Sequence, residues 1–196
     1  MKKILYTRES PCLEPLRSLI EEQDHKTLCL WALDAGAYFL PLFTDRYPED
    51  SRPADALSAA RAWMHGEVKM PVAKRAAHAT HRAATDVEDD PVACAAARAM
   101  GHVIGTVHTD AHAIGVAMYG LTALYRSEGD EEAAAQAAVE NCCQWMVERL
   151  LYWQDGAKEH PGPFAPFLLR EGVPNKEKQR RLKMGNKAKN KRYEPK

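Results

Sequence analysis

The chain has 196 residues, of which 45% are hydrophobic and 8% aromatic, and this composition favours one globular domain packed with small side chains. It contains no run of about 20 uninterrupted apolar residues and begins without the apolar core and cleavage site of a signal peptide, so we expect a cytoplasmic protein that does not contact a membrane. The five cysteines form no CxxC pair, which argues against a disulfide framework and favours reduced core thiols.

The net charge of zero hides two oppositely charged parts. Residues 174–196 contain ten Lys or Arg and two Glu, a charge of +8, which leaves −8 on residues 1–173. We therefore divide the chain into a helical domain over 1–173 and a basic tail over 174–196, whose composition is typical of an extended or disordered segment. Two alternatives stay open for the tail: binding of a nucleic acid through residues 176–192, and docking onto the acidic body of this chain or of a neighbour.

The first half of the body shows apolar residues spaced by three and four. This pattern predicts an all-α, single-domain multi-helix bundle, since long alternating or β-branched runs are absent. We expect the first helix over about 12–22 and the second over about 25–46, where Pro41 either kinks the helix or ends it early. Ser51 is the expected N-cap of a third helix that stops at Gly66.

A fourth helix is expected over about 70–85. On a helical wheel, His78 and His81 fall on one face beside Arg82. One interpretation is a face that is solvated or packs against a partner helix, and the other is a site for an anion or an acidic partner. The opposite face is expected to bury Val72, Ala76, Ala79 and Ala83.

The region from about 91 to 126 combines histidines with helix-disfavouring glycines. Asp89 or Asp90 is the expected cap of this region, and a break near Thr109 would divide it into two helices. Gly101 and Gly105, four residues apart, each cost about 1 kcal/mol in helix propensity and are tolerated where another backbone comes close. The glycines therefore predict a central, buried helix.

His108 and His112 have the spacing of the paired histidine ligands in zinc hydrolases. The glutamate that would act as general base is missing beside the first histidine, and Asp110 projects to the opposite side, so we predict no metal. A buried, hydrogen-bonded histidine pair and a polar pocket for a ligand or partner both stay open.

The last predicted helix covers about 130–154, and a loop rich in proline and glycine follows it. We expect this loop to wrap the body, anchored by Phe164, Phe167 and Leu168. The sequence contains no GxSxG and no glycine loop of a nucleotide-binding fold, so it predicts no catalytic set and no cofactor.

The order of three motifs is more specific than any one of them. RPADALSAARAWMHGE, KRAAHATHRAA and AAARAMGHVIGTVHTDAHAIGVAMYG follow one another between residues 52 and 125. Their succession resembles the bacterial immunity proteins of the Imm-five-like family. The resemblance implies an α-helical domain that binds and neutralises a toxin of a polymorphic or contact-dependent system by protein–protein contact, and an enzyme is the alternative that stays open.

We carry forward a set of candidate binding residues and three hypotheses. A toxin-binding surface would use acidic patches at 86–90 or 128–132, although helix starts and solvated junctions have the same composition. A helical enzyme or small-molecule binder would use a polar histidine pocket, and a nucleic-acid-binding accessory protein would use the tail. The Ala-rich helices also favour a homodimer. The candidate binding residues are Trp63, Glu67, His78, Arg82, Arg98, His102, His108, His112 and Tyr119.

Overall fold

The structure is a computed structural model that describes residues 4–170, 172 and 174–191, with side chains to residue 184. Short 3-10 turns precede α1, join α6 to α7 and interrupt the loop after α8. The helices are α1 (Glu14–Glu22), α2 (His25–Phe39), α3 (Pro41–Thr44), α4 (Arg52–Met64), α5 (Met70–Asp86), α6 (Pro91–His108), α7 (Ala113–Ser127), α8 (Glu132–Gly156) and α9 (Lys176–Lys191).

A hairpin of α6 and α7 forms the centre of the molecule. The side chain of Asp90 accepts hydrogen bonds from the backbone N–H groups of Val92 and Ala93, and Pro91 occupies the first helical position, so α6 begins where the sequence predicts. Thr109 is extended and ends α6, which confirms the predicted break. Helices α4 and α5 pack on α6, α8 packs on α7, and α2 contacts both α6 and α7.

The all-α prediction is confirmed, and Pro41 does end the second helix early, at Phe39. The predicted inner face of α5 is wrong in part. Val72 is 39% exposed and Ala79 is half-buried, whereas Ala73, Thr80, Ala83 and Ala84 are buried. Alanines occur on both sides of this helix, so their spacing alone did not decide which side faces α6.

One helical stretch among the described residues, His25–Thr44, has the length and hydropathy of a membrane span. Its most apolar 18-residue window is 61% buried within the protein, and Trp31 and Phe39 have no exposed surface. The packing of α2 in the core accounts for this apolar stretch.

The start of the basic tail is helical and docked, where the sequence predicts an extended or disordered segment. Lys178 pairs with Glu22 at 2.7 Å, Arg181 pairs with Glu21, and Glu177 pairs with Arg8 at 2.9 Å. Docking onto the acidic body was the alternative left open. Residues 192–196 of the predicted tail, and with them Arg192 of the nucleic-acid prediction, lie outside the described residues.

Candidate functional site

His102, His112 and Tyr119 form a side-chain cluster on the α6–α7 hairpin, which we call the histidine cluster. The Nδ1 atoms of His102 and His112 are 3.1 Å apart, so the Nδ1–H of one ring donates to the bare Nδ1 of the other. The ring of Tyr119 stacks on His102 with centroids 5.1 Å apart. The predicted pairing of His108 with His112 is wrong, because the break at Thr109 turns the two rings onto different elements.

Glycines on the two helices make room for these rings. A Cβ added to Gly115 would lie 2.2 Å from Nδ1 of His102, and a Cβ added to Gly105 would lie 2.9 Å from Cγ of His112. Gly101 faces a third ring in the same way, at 2.8 Å from Cε1 of His81 on α5. The glycines do permit a neighbouring group to come close to the helix, as predicted. The group is an imidazole ring, however, and not the backbone of another helix.

The histidine cluster is held neutral. Burial lowers the pKa of His102 to about 4, and positive charge at the neighbouring His112 adds to this effect. Burial also lowers the pKa of His112, with His108 and Arg8 as further positive neighbours. Neutral rings suit hydrogen bonding, and within the described residues no group of three or more His, Cys, Asp or Glu is placed to hold a metal ion.

The N-terminal segment contributes a residue to this region that sequence reasoning missed. Arg8 donates to the carbonyl of Ala111 at 3.1 Å, beside His112, while its Nε donates to the buried carboxylate of Glu177. Arg8 therefore ties together the α6–α7 turn and the tail. These residues are separated by more than 100 positions in sequence, so no local motif signals the contact.

The other candidate residues do not join the histidine cluster. Trp63 and His108 stack on each other, with centroids 6.1 Å apart and planes inclined by 17°. Glu67, His78 and Arg82 are exposed on the surface of α5 and the turn before it. Arg98 is half-buried on α6, near enough to His81 to help lower the pKa of that histidine after the larger effect of burial. The nine candidates thus do not line one pocket.

Trp63 and His108 line an open cleft, which we call the basic cleft. Its volume is about 980 Å³, and it lies at the N-terminal end of α2, the C-terminal end of α6 and the loop before α9. The lining residues are Asp24, His25, Lys26, Trp63, Met70, His108, Thr109, Asp110, Lys158, Phe167, Leu168, Leu169, Arg170, Gly172 and Lys176.

Helices α2 and α8 share a row of side chains that we call the aromatic ridge: Tyr38 on α2, and Trp145, Arg149 and Tyr152 on α8. Tyr38 and Tyr152 are exposed, whereas Trp145 and Arg149 are half-buried. Tyr38 stacks on Trp145 with centroids 4.6 Å apart, and the Arg149 guanidinium lies 4.4 Å from the centre of the Tyr152 ring. Asp34 fixes Arg149 by accepting from its Nε at 2.6 Å. Helical spacing predicts that Trp145 and Tyr152 face the core; Trp145 does pack against it, whereas Tyr152 is 55% exposed.

Carboxylates surround the aromatic ridge along α8. This helix carries four acidic residues and one arginine. Glu140 and Glu148 accept hydrogen bonds from Gln136 and Gln144, respectively, one helical turn earlier, and both are exposed. The acidic patch predicted at 128–132 leads into the same helix.

The acidic patch predicted at 86–90 is partly used within the fold. Asp86 pairs with Arg52 at 2.7 Å, and Asp90 caps α6 and pairs with Arg46 at 3.3 Å. The carboxylates at 86–90 are therefore less available to a partner than the exposed carboxylates of α8.

A comparison with family models finds one match. The model described as Imm-5 like putative immunity protein covers residues 18–152, about two thirds of the chain. Searches of curated proteins and of solved structures gave no match. The matched range contains the histidine cluster and the aromatic ridge, and it ends before the loop and tail that complete the basic cleft.

Proposed function

Since the chain belongs to the Imm-5 like putative immunity protein family, we propose that it binds a bacterial toxin and neutralises it by protein–protein contact. A protein with this role needs a rigid surface complementary to its toxin and needs no catalytic centre. The packed helical body meets the first requirement.

The aromatic ridge is the observation that supports this proposal best. Tyr, Trp and Arg are the residue types that most often dominate binding energy at protein interfaces. Here their rings are held in place by stacking and by the Arg149–Asp34 pair, so little side-chain freedom is lost on binding. Leu151, 43% exposed, extends the apolar surface along α8.

The charge around the ridge indicates a basic partner. Glu140, Glu148 and Asp155 are exposed on α8, and none of them forms an ion pair with a described residue. Carboxylates around an aromatic centre would steer a cationic protein surface toward the ridge and exclude an acidic one. A toxin that acts on nucleic acid has such a cationic surface.

A cell-protection assay tests this function. Each candidate toxin encoded near the gene is induced in cells that carry the protein or one of its variants, and growth is followed. We expect the unmodified protein to protect, and Tyr152→Ser combined with Glu148→Lys to lose protection, because the change removes an exposed ring and reverses a charge on α8.

Matched changes elsewhere on the surface act as controls. Val72→Ser removes an exposed apolar side chain from α5, and Glu88→Lys reverses an exposed charge in the other acidic patch. Both are expected to protect like the unmodified protein. Absence of protection by the unmodified protein contradicts the function, and protection by the α8 variant contradicts the proposed surface.

The alternatives draw less support from the contacts. A polar pocket is less well supported, because Glu67 is exposed and His108 stacks on Trp63. The residues predicted for that pocket were Glu67, Arg98, His102, His108, His112 and Tyr119. Nucleic-acid binding through residues 176–192 competes with the ion pairs that hold Lys178 and Arg181 on α1. Homodimer formation stays a prediction, which native mass spectrometry of the purified protein tests.

A further inference from the structure

The basic cleft has a wall of aromatic rings. The ring of Trp63 contacts those of His108 and Phe167, with centroids 6.1 and 5.8 Å away, and the centroid of Phe167 lies 6.3 Å from that of His25. Trp63 is only 8% exposed, whereas His108 is exposed and Phe167 half-buried. The buried indole therefore supports two rings whose surfaces remain accessible from the cleft.

The rim of the cleft carries excess positive charge. Four Lys or Arg side chains stand against two carboxylates among the described lining residues. Asp24 is already engaged, because it accepts a hydrogen bond from the backbone N–H of Thr27 at the start of α2. The four cations form no ion pair with a described residue: Lys26, Lys158, Arg170 and Lys176.

The neighbouring contacts leave these cations available. The Lys26 ammonium lies 4.8 Å from the centre of the Phe164 ring, an arrangement that orients it without neutralising it. The Nε2–H of His25 donates to the carbonyl of Thr106 at 2.6 Å, which turns the other ring nitrogen away from that bond. Cations that line one cleft without carboxylate partners attract an anion.

We propose that the basic cleft binds a small anion that carries a planar aromatic ring, a ligand of the nucleoside phosphate class. The ring packs on His108 and Phe167, and the phosphates contact Lys158, Arg170 and Lys176. The volume falls within the range of small-molecule sites, which is roughly 300 to 1,000 Å³. Because the cleft has both an aromatic wall and several cations, it fits a ligand that carries a ring and negative charge better than a ligand that has only one of these features.

This site goes beyond toxin binding and is spatially separate from the aromatic ridge. His25 and Tyr38 lie near opposite ends of α2, which places them about 20 Å apart at 1.5 Å per residue. Seven of the described lining residues also come after the matched family range: Lys158, Phe167, Leu168, Leu169, Arg170, Gly172 and Lys176. These residues are far apart in sequence, so the site has no phosphate-loop motif.

Isothermal titration calorimetry with three probes tests the proposal. The full-length protein is titrated with ATP, with adenosine and with tripolyphosphate. We expect ATP to bind with one ligand per chain and at least about tenfold more tightly than either part, because only ATP uses both the ring wall and the cations.

Two variants with equal loss of charge locate the site. Lys158→Gln with Arg170→Gln is expected to weaken ATP binding about tenfold or more. Arg180→Gln with Lys183→Gln removes two exposed charges from α9 outside the cleft and is expected to leave ATP binding unchanged. His108→Ala removes an exposed ring and is expected to weaken ATP binding without changing tripolyphosphate binding. Thermal unfolding of each variant verifies that it is folded.

Three results overturn the proposal. ATP giving no binding at millimolar concentration excludes a nucleoside phosphate site. Tripolyphosphate binding as tightly as ATP shows that the ring wall plays no part. Equal weakening by the cleft and α9 variants shows attraction by diffuse charge. Failure here leaves the toxin-binding proposal untouched, since the cell-protection assay uses a different surface.

Discussion

His81, His102 and His112 each fill space that a glycine on a neighbouring helix leaves open. The glycines weaken α6 and α7 as isolated helices, and the fit of an imidazole ring against each one offsets this cost. His102 and His112 then join α6 to α7 through their Nδ1 contact. We infer that the histidine cluster stabilises the packing of α6 against α7.

Gly115→Ala is expected to destabilise the protein by about 2 kcal/mol, because the new Cβ meets the His102 ring. In a His102→Ala background the same change is expected to be neutral or stabilising, since alanine favours a helix by about 1 kcal/mol over glycine. Urea unfolding of the four proteins in this cycle measures the coupling free energy.

Gly156→Ala is the matched control, because no neighbouring atom lies within 4 Å of a Cβ at that position in α8. It is expected to leave the free energy of unfolding unchanged or slightly higher. Equal destabilisation by Gly115→Ala in both backgrounds would show that the ring is not what excludes a side chain there.

Stability is expected to fall as the pH falls from about 6.5 to 4. The pKa of His102 is about 4 in the folded protein and near 6.5 when unfolded, so the unfolded chain binds the extra proton in this window. Full stability is present above pH 6.5, and the loss attributable to His102 is roughly 2 kcal/mol at pH 4, allowing for partial exposure of the ring.

Urea midpoints measured across this window check the effect. His102→Asn removes the titrating ring and is expected to flatten the pH dependence, whereas His78→Asn, which replaces an exposed histidine on α5, is expected to leave it unchanged. If His102→Asn unfolds with the pH dependence of the unmodified protein, the low pKa of His102 is not coupled to folding.

Sequence reasoning singled out Gly101, Gly105, His102 and His112, but it did not single out Gly115 and it paired His112 with His108. Spacing on one continuous helix places His108 four residues from His112, and only the turn at Thr109 brings His112 back onto His102. His81 comes from another helix, so its contact with Gly101 had no signal in the local sequence.

Helix α9 is joined to α1 by one buried side chain. The amide of Asn175 donates to the carbonyls of Ile20 and Gln23 at the end of α1, at 2.5 and 2.9 Å. Its carbonyl accepts from the backbone N–H of Lys178 at the start of α9. Asn175 thus caps the ends of two helices at once.

Asn175→Ala is expected to release α9 from the body. Loss of the cap costs about 1 to 2 kcal/mol and removes the side-chain donor from both carbonyls, although the Ile20 carbonyl still accepts from the backbone N–H of Gln23. Limited trypsin digestion followed by mass spectrometry is expected to show faster cleavage at Lys176–Lys183. Leu182→Ala is the control, because this side chain is 52% exposed. Trypsin is expected to cleave that variant at the rate of the unmodified protein. Equal rates for Asn175→Ala and the unmodified protein would contradict docking by this residue.

The elements of the body could be predicted because their apolar spacing follows the helical period. Three helix boundaries were predicted correctly. Asp90 caps the start of α6, and Pro41, which has no N–H to donate, ends α2 early. Gly66 follows the end of α4 with a left-handed φ of 76°. The docked start of the tail was not predicted as a helix, because its contacts join residues about 150 positions apart and its composition matches disordered segments.

The distribution of charge over the complete chain could be predicted only in part. The sequence separates an acidic body from a basic tail, but it does not show that α1 neutralises part of the tail while α8 keeps its carboxylates exposed. The aromatic ridge was missed for a related reason. An aromatic residue at helical spacing is more often in the core, and only the packing of α2 on α8 leaves Tyr38 and Tyr152 outside.

Calorimetric titration of candidate toxins encoded near the gene into the purified protein is the decisive measurement. We predict a tight one-to-one complex that weakens with salt, and about tenfold or more weaker binding by Tyr152→Ser with Glu148→Lys. Val72→Ser with Glu88→Lys is predicted to bind like the unmodified protein. No binding of the toxin, or equal binding by the α8 variant, would contradict neutralisation through the aromatic ridge.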